Sequence, residues 1–253
     1  MTAVRRIGTQ RDVLGESPIW STAEQALYWV DIRHPALRRL DDATGAVETR
    51  EMPAMVGAIA FAAIPRHLVV ALAERIVLYD WETGRLATVA ELPQPIPGHR
   101  FNDGRCDRAG RFWVGTMHNI TRAAEGTLFR LDPAGLTPIL SGVSIPNSLA
   151  WSPDGRVMYF ADSLRHAIAR YHYDPESGTL GPASLLVATA PPGFPDGSTV
   201  DAEGCLWNAE FNGGRVVRYT PNGAVDRVIP MPVDRPTACA FGGPGLERLY
   251  ITT

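Results

Sequence analysis

Four side chains able to offer an oxygen to a cation, Glu16, Asn102, Asn147 and Asp196, stand at one phase of a repeating sequence. Each lies ten to twelve residues before a recurring strand start, at Tyr28, Phe112, Met158 and Leu206 respectively. Two carboxylates and two amide oxygens suit a hard divalent cation: Ca²⁺ first, Mg²⁺ or Mn²⁺ by the same logic, and Zn²⁺ because it also accepts carboxylate oxygen. Like charges gathered in one place need that counter-charge. A plainer reading makes Asn102, Asn147 and Asp196 turn-starting residues beside Pro or Gly. It accounts for the residue types and leaves their shared phase unexplained.

Other chemistries find no residues. All 24 basic residues are arginine, so mechanisms needing an ε-amine (Schiff bases, pyridoxal phosphate, the P-loop) are excluded. There is no Gly-x-Ser-x-Gly elbow and no His-Glu-x-x-His. His99 and His118 read as loop hydrogen-bonders, with His118 also a candidate substrate contact. Cys106, Cys205 and Cys239 are odd in number and widely spaced, which suits small buried side chains. With 24 basic against 27 acidic residues and no basic stripe, nucleic acid is not an expected partner. No stretch approaches the roughly 18 apolar residues of a membrane span, and no apolar run follows Arg5 and Arg6, so a cytoplasmic protein is expected.

The elements that must position these residues follow from the repeat. Tyr28, Leu68, Phe112, Met158, Leu206 and Leu249 begin equivalent strands at intervals of 40, 44, 46, 48 and 43 residues. The clearest unit runs from Pro146 to Asp162 through a Ser-Pro-Asp-Gly turn. Further short strands fall between markers, and 24 Gly plus 21 Pro argue against helices. Four strands per unit of this length indicate propeller blades. The expectation is an all-β, six-bladed β-propeller forming one domain, residues 1–253, with a metal site in its central channel. Its sixth blade is short by one or two strands, and Val4–Thr9 could supply one of them. Gly57 and Ala238 hold the ring phase in units two and six.

The segments Leu14-Gly15-Glu16-Ser17-Pro18-Ile19-Trp20, Arg100-Phe101-Asn102-Asp103-Gly104, Gly115-Thr116-Met117, Ile145-Pro146-Asn147-Ser148-Leu149-Ala150-Trp151 and Pro195-Asp196-Gly197-Ser198 resemble the SMP-30/gluconolactonase/LRE family, in order and over essentially the whole chain. The resemblance implies a six-bladed propeller holding one divalent metal on Glu16, Asn147 and Asp196, with Arg100 and Asn102 binding substrate or supplementing the metal shell. Gly-Thr-Met-His is similar to the bacterial sugar lactonases. Where some members carry an acidic residue just beyond it, this chain has His118, Asn119 and Ile120. Family chains also continue past the Leu249–Thr253 segment, so this one reads as truncated.

The expected activity is metal-dependent hydrolysis of sugar lactones to aldonic acids, with a small-molecule lactone as partner. Asp196 would be general base, and Arg100, Asn102, Asp103 and His118 substrate contacts. The alternatives are a non-catalytic metal- or ligand-binding propeller, or a hydrolase of other esters or organophosphates at the same site. Arg105, Asp107, Arg156 and Asp162 read as structural, and Trp20, Trp113, Trp151 and Trp207 as packing between blades. No signal for an oligomeric state is present.

Overall fold

The computed structural model describes residues 4–93 and 96–253. Among the described residues, twenty-two short strands make six antiparallel sheets. Blade one comprises β1 (Gly15–Ser21), β2 (Ala26–Asp31), β3 (Ala36–Asp41) and β4 (Val47–Glu51). Blade two comprises β5 (Val56–Phe61), β6 (His67–Leu72), β7 (Arg75–Asp80) and β8 (Leu86–Glu91). β9 (His99–Cys106), β10 (Phe112–His118), β11 (Gly126–Asp132) and β12 (Gly135–Val143) form blade three. β13 (Pro146–Trp151), β14 (Val157–Asp162), β15 (Ala167–Asp174) and β16 (Thr179–Ala188) form blade four, with a 3-10 turn, Ser163–Arg165, after β14. Blade five holds β17 (Phe194–Val200), β18 (Leu206–Phe211), β19 (Arg215–Tyr219) and β20 (Val225–Pro230). β21 (Ala238–Gly242) and β22 (Arg248–Thr252) pair as a two-stranded hairpin.

The six-bladed expectation is therefore corrected: among the described residues there are five four-stranded blades, and where a sixth was expected stands a two-stranded hairpin. Val4–Thr9 forms no strand, so it does not complete that position. The circle closes instead through the hairpin's inner side. Gly15 N donates to Thr253 O at 3.1 Å, and Thr237 Oγ1 donates to the Gly15 carbonyl and lies 2.8 Å from Thr252 Oγ1.

Each blade is a meander whose first strand faces the channel and whose fourth lies at the rim, and the burial pattern follows. The inner strand β13 is buried at every residue, whereas β20 is exposed at all but Ile229. Between blades, apolar faces interlock. Tyr28, Val30 and Leu37 of blade one meet Val56, Ile59 and Leu68 of blade two, and Trp113 and Leu128 of blade three meet Leu149, Trp151 and Tyr173 of blade four. The tryptophans pack as expected: Trp113 and Trp151 lie 6.1 Å apart, and Trp20 stacks on Tyr250 at 5.6 Å. The three cysteines are free, with Cys205 and Cys239 buried. Among the described residues no helix is long and apolar enough to cross a membrane.

Candidate active site

The five inner strands of the blades share a defect at the ring phase. In β1 the register with β2 slips between Glu16 and Ile19; in β13 it slips between Asn147 and Ala150, and in β17 between Pro195 and Ser198. β9 slips across Asn102 and Asp103, and β5 across Gly57. Each slip is a β-bulge, which adds a residue to one strand and re-aims the side chain there. Ser17 and Ser148 take positive φ, 50° and 62°, directly after Glu16 and Asn147. The bulges bring Glu16, Asn102, Asn147 and Asp196 near one another on the inner strands.

Blade two contributes no side chain to this ring, for a steric reason. A Cβ on Gly57 would stand 2.4 Å from Phe101 O and 2.6 Å from Asn102 O. The bare backbone of β5 is what allows β9 to approach. Gly197 serves the same end between β17 and β21, where a Cβ would fall 2.3 Å from that of Ala238.

Glu16, Asn102, Asn147 and Asp196 are all buried. Asn102 Nδ2 donates to Asn147 Oδ1 at 3.1 Å and to Pro146 O at 3.0 Å, so both its amide hydrogens are engaged. Arg100 donates from Nε to Asn119 Oδ1 at 2.8 Å, and from Nη1 to Phe101 O at 2.9 Å and Asn102 Oδ1 at 2.8 Å. Its Nη2 has no partner among the described residues. Glu16 Oε2 accepts from Ser17 N at 3.1 Å. Asp103 Oδ2 accepts from Leu149 N at 3.1 Å, tying blade three to blade four.

The charges in this space are poorly compensated. Burial, then the nearby Asp103, pushes Glu16 up to about 8, against the Ser17 amide and Arg100. Burial, then Glu16 and Asp103, raises Asp196 well above the ordinary carboxylate range. Burial, aided by Arg33 and Arg122, pulls Arg100 down to about 10, against Glu16 and Asp196. Burial raises Asp103, opposed by Arg105. None of the three carboxylates has an ion-pair partner within 4 Å among the described residues.

The donor set is compatible with a cation. Among the described residues no group of three His, Cys, Asp or Glu side chains stands in metal-holding geometry. Glu16, Asp196 and Asn147 Oδ1 offer oxygen only, which suits a hard divalent ion.

His118 sits outside this cluster. Its Nδ1 accepts from Ile120 N at 3.2 Å and Thr121 N at 3.1 Å, and its ring lies against Gly98, whose Cβ would be 2.9 Å from Nε2. It shapes the turn that brings Asn119 to Arg100, and so reaches the ring through Asn119. His99 packs edge-on against it at 5.4 Å, with Nε2 3.5 Å from Glu125. Asp162 and Asp107 bond within the blade framework as expected. The former accepts from Ser144 N and Ile145 N, the latter from Trp113 Nε1 and Tyr173 Oη.

Sequence reasoning missed a polar support under Asp196. Asn208 Nδ2 lies 2.9 Å from Asp196 O, 3.0 Å from Ser148 Oγ and 2.9 Å from Ser198 Oγ, while Ser148 Oγ donates to Asp196 O at 2.6 Å. A signal was present. Two residues after the marker the other units carry Val30, Val70, Val114, Phe160 and Ile251, and only this one an amide.

The chain is similar to known proteins over most of its length. Residues 14–253 match the family described as SMP-30/Gluconolactonase/LRE-like region. A 6-deoxy-6-sulfogluconolactonase of Pseudomonas putida is 41% identical over 96% of this chain and 84% of its own length. A pentonolactonase of Haloferax volcanii is 38% identical over 100% and 85%. The crystal structure of a calcium-binding protein, regucalcin, from Agrobacterium tumefaciens superposes with a TM-score of 0.93 at 33% identity, covering 96% of this chain and 83% of that one. This chain belongs to the SMP-30/gluconolactonase/LRE-like family.

Proposed function

We propose that this protein hydrolyses sugar lactones to the corresponding aldonic acids, using a divalent cation, Ca²⁺ first among candidates, held by Glu16, Asn147 and Asp196. The observation that carries this reading is the pair of buried carboxyl groups, Glu16 and Asp196, without an ion-pair partner among the described residues and beside Arg100, whose Nη2 has no partner there either. The Pseudomonas and Haloferax relatives, both sugar lactonases by name, support the reaction class. The Agrobacterium regucalcin, a calcium-binding protein, supports the cation.

Opening a lactone adds water across the ring ester: an oxygen–carbon bond forms at the carbonyl, the ring carbon–oxygen bond breaks, and a hydroxy acid results. When bound, a divalent cation supplies Lewis-acid polarisation and lowers the pKa of water. Asp196 takes the proton of the attacking water and returns it to the departing ring oxygen. Its backbone is held by Ser148 and Asn208, which fixes where the carboxylate points. Arg100 Nη2 has two N–H groups to give to sugar hydroxyls or to the developing carboxylate. Asn102 presents its amide oxygen toward that side, Asp103 accepts from hydroxyls, and His118 holds the wall through Asn119.

The test is a panel of aldonolactones offered to protein stripped with a chelator and reloaded with Ca²⁺, Mg²⁺, Mn²⁺ or Zn²⁺, acid release being followed at constant pH. Acceleration over spontaneous opening with at least one cation is expected. No acceleration for any lactone with any cation would overturn the reading.

A further inference from the structure

Proton counting along one line of hydrogen bonds decides which end of the Asn147 amide faces the channel. The line starts at Arg100, a group that only donates, and its Nη1 gives a hydrogen to Asn102 Oδ1 at 2.8 Å. Asn102 must then turn its nitrogen the other way, toward Asn147 Oδ1 at 3.1 Å. Asn147 Nδ2 donates to Ser163 Oγ at 2.8 Å, and Ser163 Oγ donates to Pro195 O at 2.7 Å. A carbonyl cannot donate, and a hydroxyl has one proton. With that proton committed to Pro195, Ser163 can only accept from Asn147.

The geometry points to Ser163 as a positioning residue for Asn147: it takes the amide nitrogen, so that the oxygen and not the NH₂ group is presented to a cation. The inference rests on the reading that Asn147 is a cation ligand. A reversed amide would direct N–H hydrogens at a positive ion. Ser163 is itself fixed independently of Asn147. It is 4% exposed, opens the 3-10 turn after β14, and donates its backbone N–H to Ile145 O at 3.0 Å. Through Pro195 it also joins the Asn147 bulge of blade four to the residue preceding Asp196 in blade five. Removing its hydroxyl leaves a buried NH₂ without an acceptor and the amide held at its oxygen alone, by Asn102.

Loss of an outer partner of a metal ligand typically weakens metal binding about 10- to 100-fold. The decisive comparison uses Asn147→Asp, since a carboxylate is alike at both ends and needs no orientation. Ca²⁺ and Mn²⁺ are titrated calorimetrically into metal-free parent, Ser163→Ala, Asn147→Asp and the double variant, and the Tm of each metal-free protein is recorded. Ser163→Ala is expected to weaken binding about 10- to 100-fold in the parent, and by less than about threefold when Asn147→Asp is already present. Ser163→Thr, which keeps the hydroxyl, should bind as the parent does. Where alanine leaves the chain unfolded, Ser163→Cys, nearly isosteric but a weak acceptor, makes the same comparison. Equal losses in both backgrounds would make Ser163 a buttress of the fold only, and an unchanged affinity would remove it from the site. In either case the cation reading stands. A parent that binds neither ion would overturn both.

Discussion

At the scale of single residues, Glu16 and Asp196 are held in a condition that favours binding over stability. Burial and then Asp103 raise Glu16, and burial and then Glu16 and Asp103 raise Asp196, with little water left to screen them. Replacing Asp196 with Asn keeps the shape and deletes one charge. Lactonase activity should fall by at least about 10²-fold, the lower range for a lost general base, while the metal-free protein melts no lower than the parent at pH 8. A Tm drop of many degrees would mean that Asp196 supports the fold. The pH dependence has a definite sign. Glu16 ionises near 8 when folded against an ordinary 4.5, so the native state holds more protons than the unfolded chain between those values. The metal-free protein must therefore lose stability as pH rises from about 5 to 8. Each unit of displacement is worth about 1.4 kcal/mol, enough to lower Tm by several degrees. Melting curves across that range should show the fall in the parent, and a flatter profile in Glu16→Gln.

At the scale of elements, the site is made by bulges, and these were the least legible feature. The short apolar runs bounded by turn residues reveal strands and their order, and the marker spacing reveals which residues share a phase. An added residue in one strand changes neither signal, because it becomes visible only as a register against the neighbouring strand. The convergence of Glu16, Asn102, Asn147 and Asp196 could thus be read from the sequence. The positive φ of Ser148 and the consumption of the Asn102 amide by Pro146 and Asn147 could not. Gly57 is the instructive case, being a ring position with no side chain that would pass for a gap in the pattern. Its role is close approach, so Gly57→Ala should force β5 away from Phe101 O and Asn102 O. Overpacking of this kind costs about 1–3 kcal/mol. Urea unfolding should show that loss together with weakened cation binding, since β9 carries Arg100 and Asn102. A variant as stable as the parent would place the two strands farther apart.

At the scale of the whole molecule, each junction between neighbouring sheets carries a polar tie as well as an apolar face. Ser17 Oγ accepts from Ile59 N between blades one and two, Phe101 N gives to Ala73 O between two and three, and Leu149 N gives to Asp103 between three and four. Ser148 reaches Asp196 O between four and five, Gly197 N gives to Thr237 O at 2.7 Å, and Thr237 returns to Gly15. The sequence repeat showed that the units form a circle, but not how the circle shuts. The last unit ends as a hairpin, and its closing bonds involve the backbone of Gly15 and Thr253, which have no side-chain signature. The candidate ligands come from blades one, four and five, so a cation held by Glu16, Asn147 and Asp196 would tie the first blade to the fourth and fifth across the channel. Ligand that binds only the native state stabilises it by RT ln(1 + [L]/Kd), about 4 kcal/mol at a thousandfold excess over Kd. At about 2–4 °C per kcal/mol for a chain of this size, saturating cation should raise Tm by roughly 8–16 °C at pH 8. The rise should shrink toward zero as pH falls to about 5, where Glu16 is protonated in the native state. Glu16→Gln should lose most of it at either pH. A Tm that responds equally to Ca²⁺ in the parent and in Glu16→Gln would place the bound ion somewhere other than this ring.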